Sequence, residues 1–251
     1  MNYLLTVAFD GKDFCGWQFQ PGERTVQGVI TEVSERLFKC KCLVTGCSRT
    51  DSGVHALGFR CTVKPSDPNA LIPASKLPYA YSSLLPCDVS VLAACEVADD
   101  FHPRYTDLVK EYEYRVHNSP IPDPFTVGRA FRFPAPITDE GIENMRRAAE
   151  LICGTHDFTS FMASGSKITD AVRTVHFCRV ERRGDIIYVN VAADGFLYNM
   201  VRIIVGTLLE VGRGEFAPEN VEGIIASRDR RMAGSTAPAC GLYLKNVVYN
   251  G

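Results

Sequence analysis

Apolar and polar positions along the chain form short blocks whose spacing predicts strands and helices in a repeating order. A period of two predicts strands, and apolar positions three to four residues apart predict amphipathic helices. The first predicted helix begins at residue 25 and carries its apolar stripe at Val29, Val33 and Leu37. Predicted strands at 4–9, up to 44, 59–63 and 89–97 surround this helix and a second one at 74–84. This β-α-β-β-α-β order is the split βαβ pattern of ferredoxin-like folds.

The second part of the chain has a similar order of predicted strands and helices. Its predicted strands lie at 111–117, 172–181, 186–192 and 242–249, and its predicted helices at 139–152, 200–211 and 218–226. Arg182 to Asp185 read as a hairpin turn. We therefore expect an α+β fold of two ferredoxin-like halves, residues 1–103 and 104–251. The halves are expected to share a central, mostly antiparallel sheet with an active-site cleft between them.

Length and composition indicate a globular chain. It has 251 residues, of which 46% are hydrophobic and 22% charged, and this suits one large or two small packed domains. No apolar run approaches the roughly 18 to 20 residues of a membrane span. The first residues resemble a strand and lack a basic leader, so we expect a soluble, cytoplasmic protein.

Cysteine spacing argues against a zinc site or a disulfide framework. The ten cysteines include no Cys-x-x-Cys pair, and several, such as Cys61 and Cys95, lie in apolar runs. We expect reduced, mostly buried thiols and no bound metal. Cys40, Cys42 and Cys47 are close enough in sequence to bind a soft metal, but they lack zinc-site spacing.

Charge alone does not indicate a nucleic-acid partner, because 27 basic and 29 acidic residues give a net charge of −2. Clustered arginines can still form local surfaces for phosphate contacts, or they can be solvated residues of helices and turns. These arginines are Arg129 and Arg132, Arg146 and Arg147, Arg173, Arg179 with Arg182 and Arg183, and Arg228 with Arg230 and Arg231.

The segment 46–56 has the composition of a functional loop. Glycines near both ends allow positive φ and close backbone approach. Arg49 stands two residues before Asp51, and a nearby cation keeps a carboxylate ionised, as a nucleophile or general base requires. The alternative is a polar β-turn in which Asp51 only caps a backbone amide.

The sequence of this loop, G-C-S-R-T-D-S-G-V-H-A, resembles the catalytic loop of the TruA-type tRNA pseudouridine synthases, approximately G-A-G-R-T-D-A-G-V-H-A. Eight of the eleven positions agree. The resemblance implies that Asp51 is the nucleophilic carboxylate and that His55 fixes the loop. Arg49 is then expected to open the RNA stem or to hold a phosphate.

Arg202 is the lone charge in the apolar helix 200–211, and a buried guanidinium needs an acceptor. Chemistry alone leaves Asp51, Glu210, Asp194 and a backbone carbonyl open. The segment 196–206 resembles the family's F-x-x-x-M-V-R-x-x-V-G motif. That resemblance implies that Arg202 pairs with Asp51.

Two further motifs supply aromatic and apolar surface. Tyr112 and Tyr114 alternate on one strand face, where tyrosines commonly pack, although a base removed from an RNA stack also needs an aromatic surface. The segment is similar to the family's K-x-Y-x-Y element, which implies that Tyr112 stacks on the target base and Tyr114 packs. Leu242 matches the first leucine of the family's G-L-x-L strand and is expected to line the pocket.

The resemblance runs from the first strand to the last and implies an isomerase that converts uridine to pseudouridine in the anticodon stem-loop of tRNA. The family expectation is tRNA positions 38, 39 and 40, a flipped-out base, no cofactor or metal, and a homodimer. Two alternatives stay open: the same chemistry on another tRNA arm or ribosomal RNA, and a non-catalytic RNA-binding module. A hydrolase using Asp51 as base is disfavoured, because no second carboxylate or metal set accompanies it.

Overall fold

The computed structural model describes residues 1–165 and 168–249, and the fold is α+β. The strands are β1 (Asn2–Phe9), β2 (Cys42–Gly46), β3 (His55–Pro65), β4 (Val89–Val97), β5 (Leu108–His117), β6 (Phe131–Arg132), β7 (Gly154–Asp157), β8 (Val172–Arg183), β9 (Ile186–Ala193) and β10 (Leu242–Tyr249). The α-helices are α1 (Val26–Phe38), α2 (Leu77–Ser82), α3 (Asp139–Ile152), α4 (Met200–Gly212) and α5 (Asn220–Ser227). The chain divides into two compact units, residues 1–108 with the terminal residues from 243, and residues 109–242.

The first unit has the ferredoxin-like strand order β4-β1-β3-β2, and each neighbouring pair is antiparallel. β1, α1 and β2 form a split βαβ unit because β3 lies between the two strands, which confirms the predicted pattern. Tyr243 and Leu244 of β10 pair in parallel with His55 and Ala56 of β3. The beginning of β3 is therefore held by the last strand of the chain.

The second unit contains a second split βαβ. Its strand order is β5-β9-β8-β7 with antiparallel neighbours, and the short β6 pairs in parallel with β5. α3 lies between β5 and β8 in sequence, while β9 lies between them in the sheet. α3 packs against β8 and α4. A Cβ at Gly141 of α3 would overlap the Gly212 carbonyl oxygen at the end of α4, so a side chain at residue 141 would prevent this close approach.

The buried face of α1 differs from the prediction. Ile30, Val33 and Phe38 are buried, while Val29 and Leu37 are only half-buried. Each of the two half-buried residues is followed directly by a larger apolar residue. The local pattern is therefore compatible with two apolar faces of α1 that lie about 100° apart, and the face with Ile30 and Phe38 is the one that is buried.

Two predicted boundaries also change. β3 begins at His55 rather than at residue 59, because its first residues pair with both β1 and β10. The units separate between residues 108 and 109, not between 103 and 104. Residues from 243 group with the first unit, whereas the prediction placed them in the second, because β10 pairs with β3.

The prediction of mostly buried thiols is wrong. Only three of the ten cysteines are buried, and Cys95 is exposed on β4, the edge strand of the order β4-β1-β3-β2. Cys40 and Cys42 differ in acidity. A hydrogen bond from the Asp67 backbone lowers the pKa of Cys40, whereas burial raises the pKa of Cys42 to about 12. The Cys42 thiol donates to the Cys40 carbonyl oxygen at 3.6 Å.

In the part of the chain that the structure describes, no helix is both long enough and apolar enough to cross a bilayer. The same residues contain no group of three or more histidine, cysteine or acidic side chains arranged to bind a metal ion.

Candidate active site

The Asp51 loop, residues 47–54 between β2 and β3, is fixed to the segment 14–17 by backbone hydrogen bonds. The Trp17 N–H donates to the Thr50 carbonyl at 3.1 Å, and the Gly53 N–H donates to the Phe14 carbonyl at 3.3 Å. The Ser52 hydroxyl adds a bond to the same Phe14 carbonyl at 3.1 Å. These bonds hold the backbone on both sides of Asp51, which is itself partly exposed.

Two glycines allow the segment and the loop to lie this close. Gly16 has φ +81°, and a Cβ there would lie 2.5 Å from the Thr50 carbonyl oxygen and 3.1 Å from the Asp51 carbonyl carbon. A Cβ at Gly46 would meet the indole ring of Trp17. Trp17 is 2% exposed and stacks on Phe59, with ring centroids 4.1 Å apart. The loop therefore rests on a packed aromatic layer.

His55 is a buried positioning group at the start of β3. Its Nδ1 lies 3.0 Å from the Gly11 backbone nitrogen and 3.1 Å from an Asp10 carboxylate oxygen. The Gly11 backbone N–H donates to Nδ1, and the same ring nitrogen forms an ion pair with Asp10 when the imidazole is protonated. The ring also stacks on Tyr243 at 4.5 Å, and this geometry favours a loop-fixing role over acid–base chemistry.

Arg49 is exposed and forms no hydrogen bond or ion pair with another described residue. Its effect on the ionisation of the Asp51 carboxylate stays a prediction. An exposed guanidinium on the Asp51 loop is well placed to bind a phosphate.

In the second unit, Arg202 occupies the first turn of α4. Its Nε donates to the Ala237 carbonyl at 2.7 Å, and its Nη1 donates to Asn199 Oδ1 at 2.9 Å. The Ala237 N–H returns a bond to the Arg202 carbonyl at 3.1 Å. A backbone carbonyl is thus one acceptor, while Glu210 bonds to Arg213 at 3.3 Å. The pairing of Arg202 with Asp51 stays a prediction.

The segment that carries Ala237 is pinned along α4. A Cβ at Gly206 would overlap the Ser235 carbonyl oxygen, so this segment lies directly on the helix backbone. Thr207 is fully buried, and its hydroxyl accepts a bond from the Gly234 N–H at 2.9 Å. The carbonyl that holds Arg202 therefore has little freedom to move.

Tyr112 and Tyr114 lie on the same face of β5, as predicted, and both are buried. The Tyr114 hydroxyl donates to the Pro238 carbonyl at 2.6 Å, and burial raises its pKa, so its predicted packing role is confirmed. Tyr112 meets the ring of Phe196 edge to face at 5.1 Å. Leu242, the first residue of β10, is also buried. The roles of Tyr112 and Leu242 toward a base stay predictions.

At least six of the eleven clustered arginines pair with carboxylates, so the predicted basic surfaces are smaller than the sequence indicated. These ion pairs join Arg146 to Glu143, Arg147 to Glu219, Arg182 to Asp139, Arg183 to Glu181, Arg228 to Asp157 and Arg231 to Asp229. Arg132, Arg173, Arg179 and Arg230 instead contact backbone, hydroxyl or ring groups. Arg179 lies over the Phe177 ring at 4.5 Å, and Arg173 donates to backbone carbonyls. Together with Arg49, these two are the better candidates for phosphate contacts.

Comparison with known proteins places these residues in a family. Residues 148–250 match the model of a family described as tRNA pseudouridine synthase. A tRNA pseudouridine synthase A of Bacillus licheniformis is 43% identical over 252 residues, covering 100% of both chains. This chain belongs to the tRNA pseudouridine synthase A family. Proteins of that name from a Thermoanaerobacter species and from Bacillus subtilis are 42% and 43% identical and cover 99% and 100% of each chain.

The predicted site residues of this tRNA pseudouridine synthase A family member fall in both units. Asp51, Arg49 and His55 belong to the first unit, and Tyr112, Arg202 and Leu242 belong to the second. Sequence reasoning allowed a backbone carbonyl as the acceptor for Arg202 but did not identify Ala237, and it missed Asn199. An asparagine three residues before the lone arginine, at the start of an apolar helix, was the available signal.

Proposed function

We propose that this chain is an isomerase that converts uridine to pseudouridine in tRNA. The observation that carries the proposal is full-length similarity to proteins named tRNA pseudouridine synthase A, combined with intact Asp51, Tyr112 and Arg202 at the family's motif positions. Product and substrate are isomers: the N1–C1′ bond breaks, a C5–C1′ bond forms, C5 loses its proton and N1 gains one. No net oxidation occurs, so the balance requires no redox cofactor.

Each proposed role follows from a motif that this chain shares with the family. Asp51 acts as the nucleophile, on a loop whose backbone is bonded on both sides. Arg202 keeps this carboxylate ionised, and Tyr112 gives the flipped base an aromatic surface. Leu242 lines the pocket, while Arg49 contacts RNA phosphate or helps open the stem. His55 holds the start of β3 and takes no proton in the reaction.

We further propose that the target uridines lie in the anticodon stem-loop and that the protein works in the cytoplasm as a homodimer. The family resemblance supports these finer statements. The dimer expectation is checked by sedimentation equilibrium of the purified chain, where a mass twice the 27.7 kDa of the monomer is expected.

The decisive assay follows from the chemistry, because C5 must lose its hydrogen. Unmodified tRNA labelled with tritium at uridine C5 should release tritium to water with the wild-type protein. Asp51→Asn, which keeps the shape and removes the charge, should release none while still binding tRNA. Arg202→Gln should fold normally and retain little turnover; near-normal release would reject its proposed role.

Mapping the pseudouridine positions distinguishes the proposed target from another tRNA arm, from ribosomal RNA and from a non-catalytic binding module. Carbodiimide-dependent reverse-transcription stops in the anticodon arm are expected with wild type and not with Asp51→Asn. Stops confined to another arm or to ribosomal RNA would keep the chemistry and reject the target. Tight tRNA binding without tritium release by wild type would indicate a binding module instead.

A further inference from the structure

Asn199 has an unusual backbone and an unusual partner. It is the residue before α4 and adopts the left-handed conformation, with φ 60° and ψ 11°. A positive φ is uncommon for a residue other than glycine, although asparagine adopts it more readily than most. Surrounding structure must hold such a residue in place, and strained backbones of this kind cluster at functional sites.

The side chain of Asn199 does not cap its helix. An asparagine at this position ordinarily accepts a hydrogen bond from a backbone N–H of the first turn. Here no such bond forms, and Oδ1 instead accepts from Arg202 Nη1 at 2.9 Å. Arginine only donates, so the amide must present its oxygen rather than its nitrogen to the guanidinium.

Two acceptors then set the orientation of Arg202. The Ala237 carbonyl takes the Nε hydrogen at 2.7 Å, and Asn199 takes one Nη1 hydrogen. The guanidinium is planar, so bonds at two of its nitrogens fix both the direction of the side chain and the rotation of its plane. The left-handed backbone turns Asn199 toward residue 202.

We infer that Asn199 is the positioning residue for Arg202. The inference rests on the proposed function, because it assigns a purpose to holding this arginine. Asn199 orients the Arg202 guanidinium so that the other N–H groups of the guanidinium face the anion that Arg202 is proposed to bind. It does not act on the RNA itself.

Two substitutions separate positioning from folding. Asn199→Gly accepts the same φ without strain and removes the acceptor. Asn199→His places a neutral Nδ1 acceptor at the same distance from the backbone as Oδ1, and histidine also tolerates the left-handed region. For Asn199→Gly we expect kcat to fall about ten- to a hundredfold with an unchanged KM for tRNA, the size associated with a lost hydrogen bond to a charged group. Asn199→His, assayed near pH 8, should recover most of the loss.

A second readout does not depend on turnover. In protein labelled with ¹⁵N-arginine, the Arg202 Nη signals should be resolved in wild type and Asn199→His, and averaged by rotation in Asn199→Gly. Near-normal kcat with resolved signals in Asn199→Gly would overturn the inference. A matched fall in kcat and melting temperature that histidine does not rescue would also overturn it, because the residue would then be merely structural. A wild-type protein inactive on tRNA would reject the proposed function, and the NMR comparison would still decide the positioning role.

Discussion

Gly16 offers a direct test of whether the Asp51 loop depends on its neighbouring segment, and Gly22 supplies the matched control. Both glycines have φ +81°. A Cβ at Gly22 would meet nothing within 4 Å, whereas a Cβ at Gly16 would lie 2.5 Å from the Thr50 carbonyl oxygen and 3.1 Å from the Asp51 carbonyl carbon. Alanine at either position carries the same backbone strain, so the difference between the two variants isolates the contact with the loop.

The magnitudes follow from these distances. A left-handed alanine costs about 1–2 kcal/mol, and at about 2–4 °C per kcal/mol we expect Gly22→Ala to melt about 2–8 °C below wild type with normal kcat. The Cβ of Gly16→Ala falls about 0.9 Å short of the 3.4 Å at which ordinary contact begins. Because the neighbour is backbone, the loop itself must shift by a comparable amount. A displacement near 1 Å in a catalytic group costs about a hundredfold in rate, so kcat should fall by about that factor.

Tritium release at saturating tRNA and thermal unfolding followed by circular dichroism measure the two effects on the same preparations. Gly16→Ala should be both less stable than Gly22→Ala and much slower. Equal kcat values in the two variants would refute the reasoning, because the loop would then tolerate a displaced neighbour. If both variants lost the same amount of stability and of kcat relative to wild type, the backbone strain, and not the contact with the loop, would be the cause.

Three further predictions concern other features. Tyr114→Phe removes the donor to a backbone carbonyl and should lower the unfolding free energy by about 1 kcal/mol, with kcat unchanged; an unaltered urea midpoint would contradict this. At pH 8, Cys40 should be alkylated faster than Cys42, because its lowered pKa gives more thiolate; tandem mass spectrometry of timed samples measures both rates, and the reverse order would contradict the assignment. Arg49→Gln should weaken tRNA binding and reduce the slope of log K against log salt concentration by about 1. Arg147→Gln, whose guanidinium is already paired with a carboxylate, should leave that slope unchanged.

Local sequence predicted elements well where the signals were strong and short-range. α3 spans the predicted residues 139–152, because Thr138 caps its start and Ile142, Met145, Ala149 and Ile152 form one buried face. β4 and β10 also have the predicted bounds. In these segments, periodicity and end signals point to the same answer.

Prediction was weaker where partners distant in sequence decide the structure. His55 lies in a strand because β10, at the far end of the chain, pairs with it, and nothing near His55 signals this. The role of Asn199 likewise needs a left-handed backbone that its neighbours do not reveal. The resemblance supplied Asp51 and Arg202, but the groups that orient them are visible only in three dimensions.

The pairing of β10 with β3 also affects how the protein is made. Domains generally fold as they leave the ribosome, with N-terminal ones first. Here the first unit lacks residues from 243 until translation of the second unit is complete, so a nascent chain leaves His55 without its stacking partner Tyr243. The Asp51 loop is therefore completed last, although it is synthesised early, and a message truncated after residue 242 would yield a chain in which that loop is never fully supported.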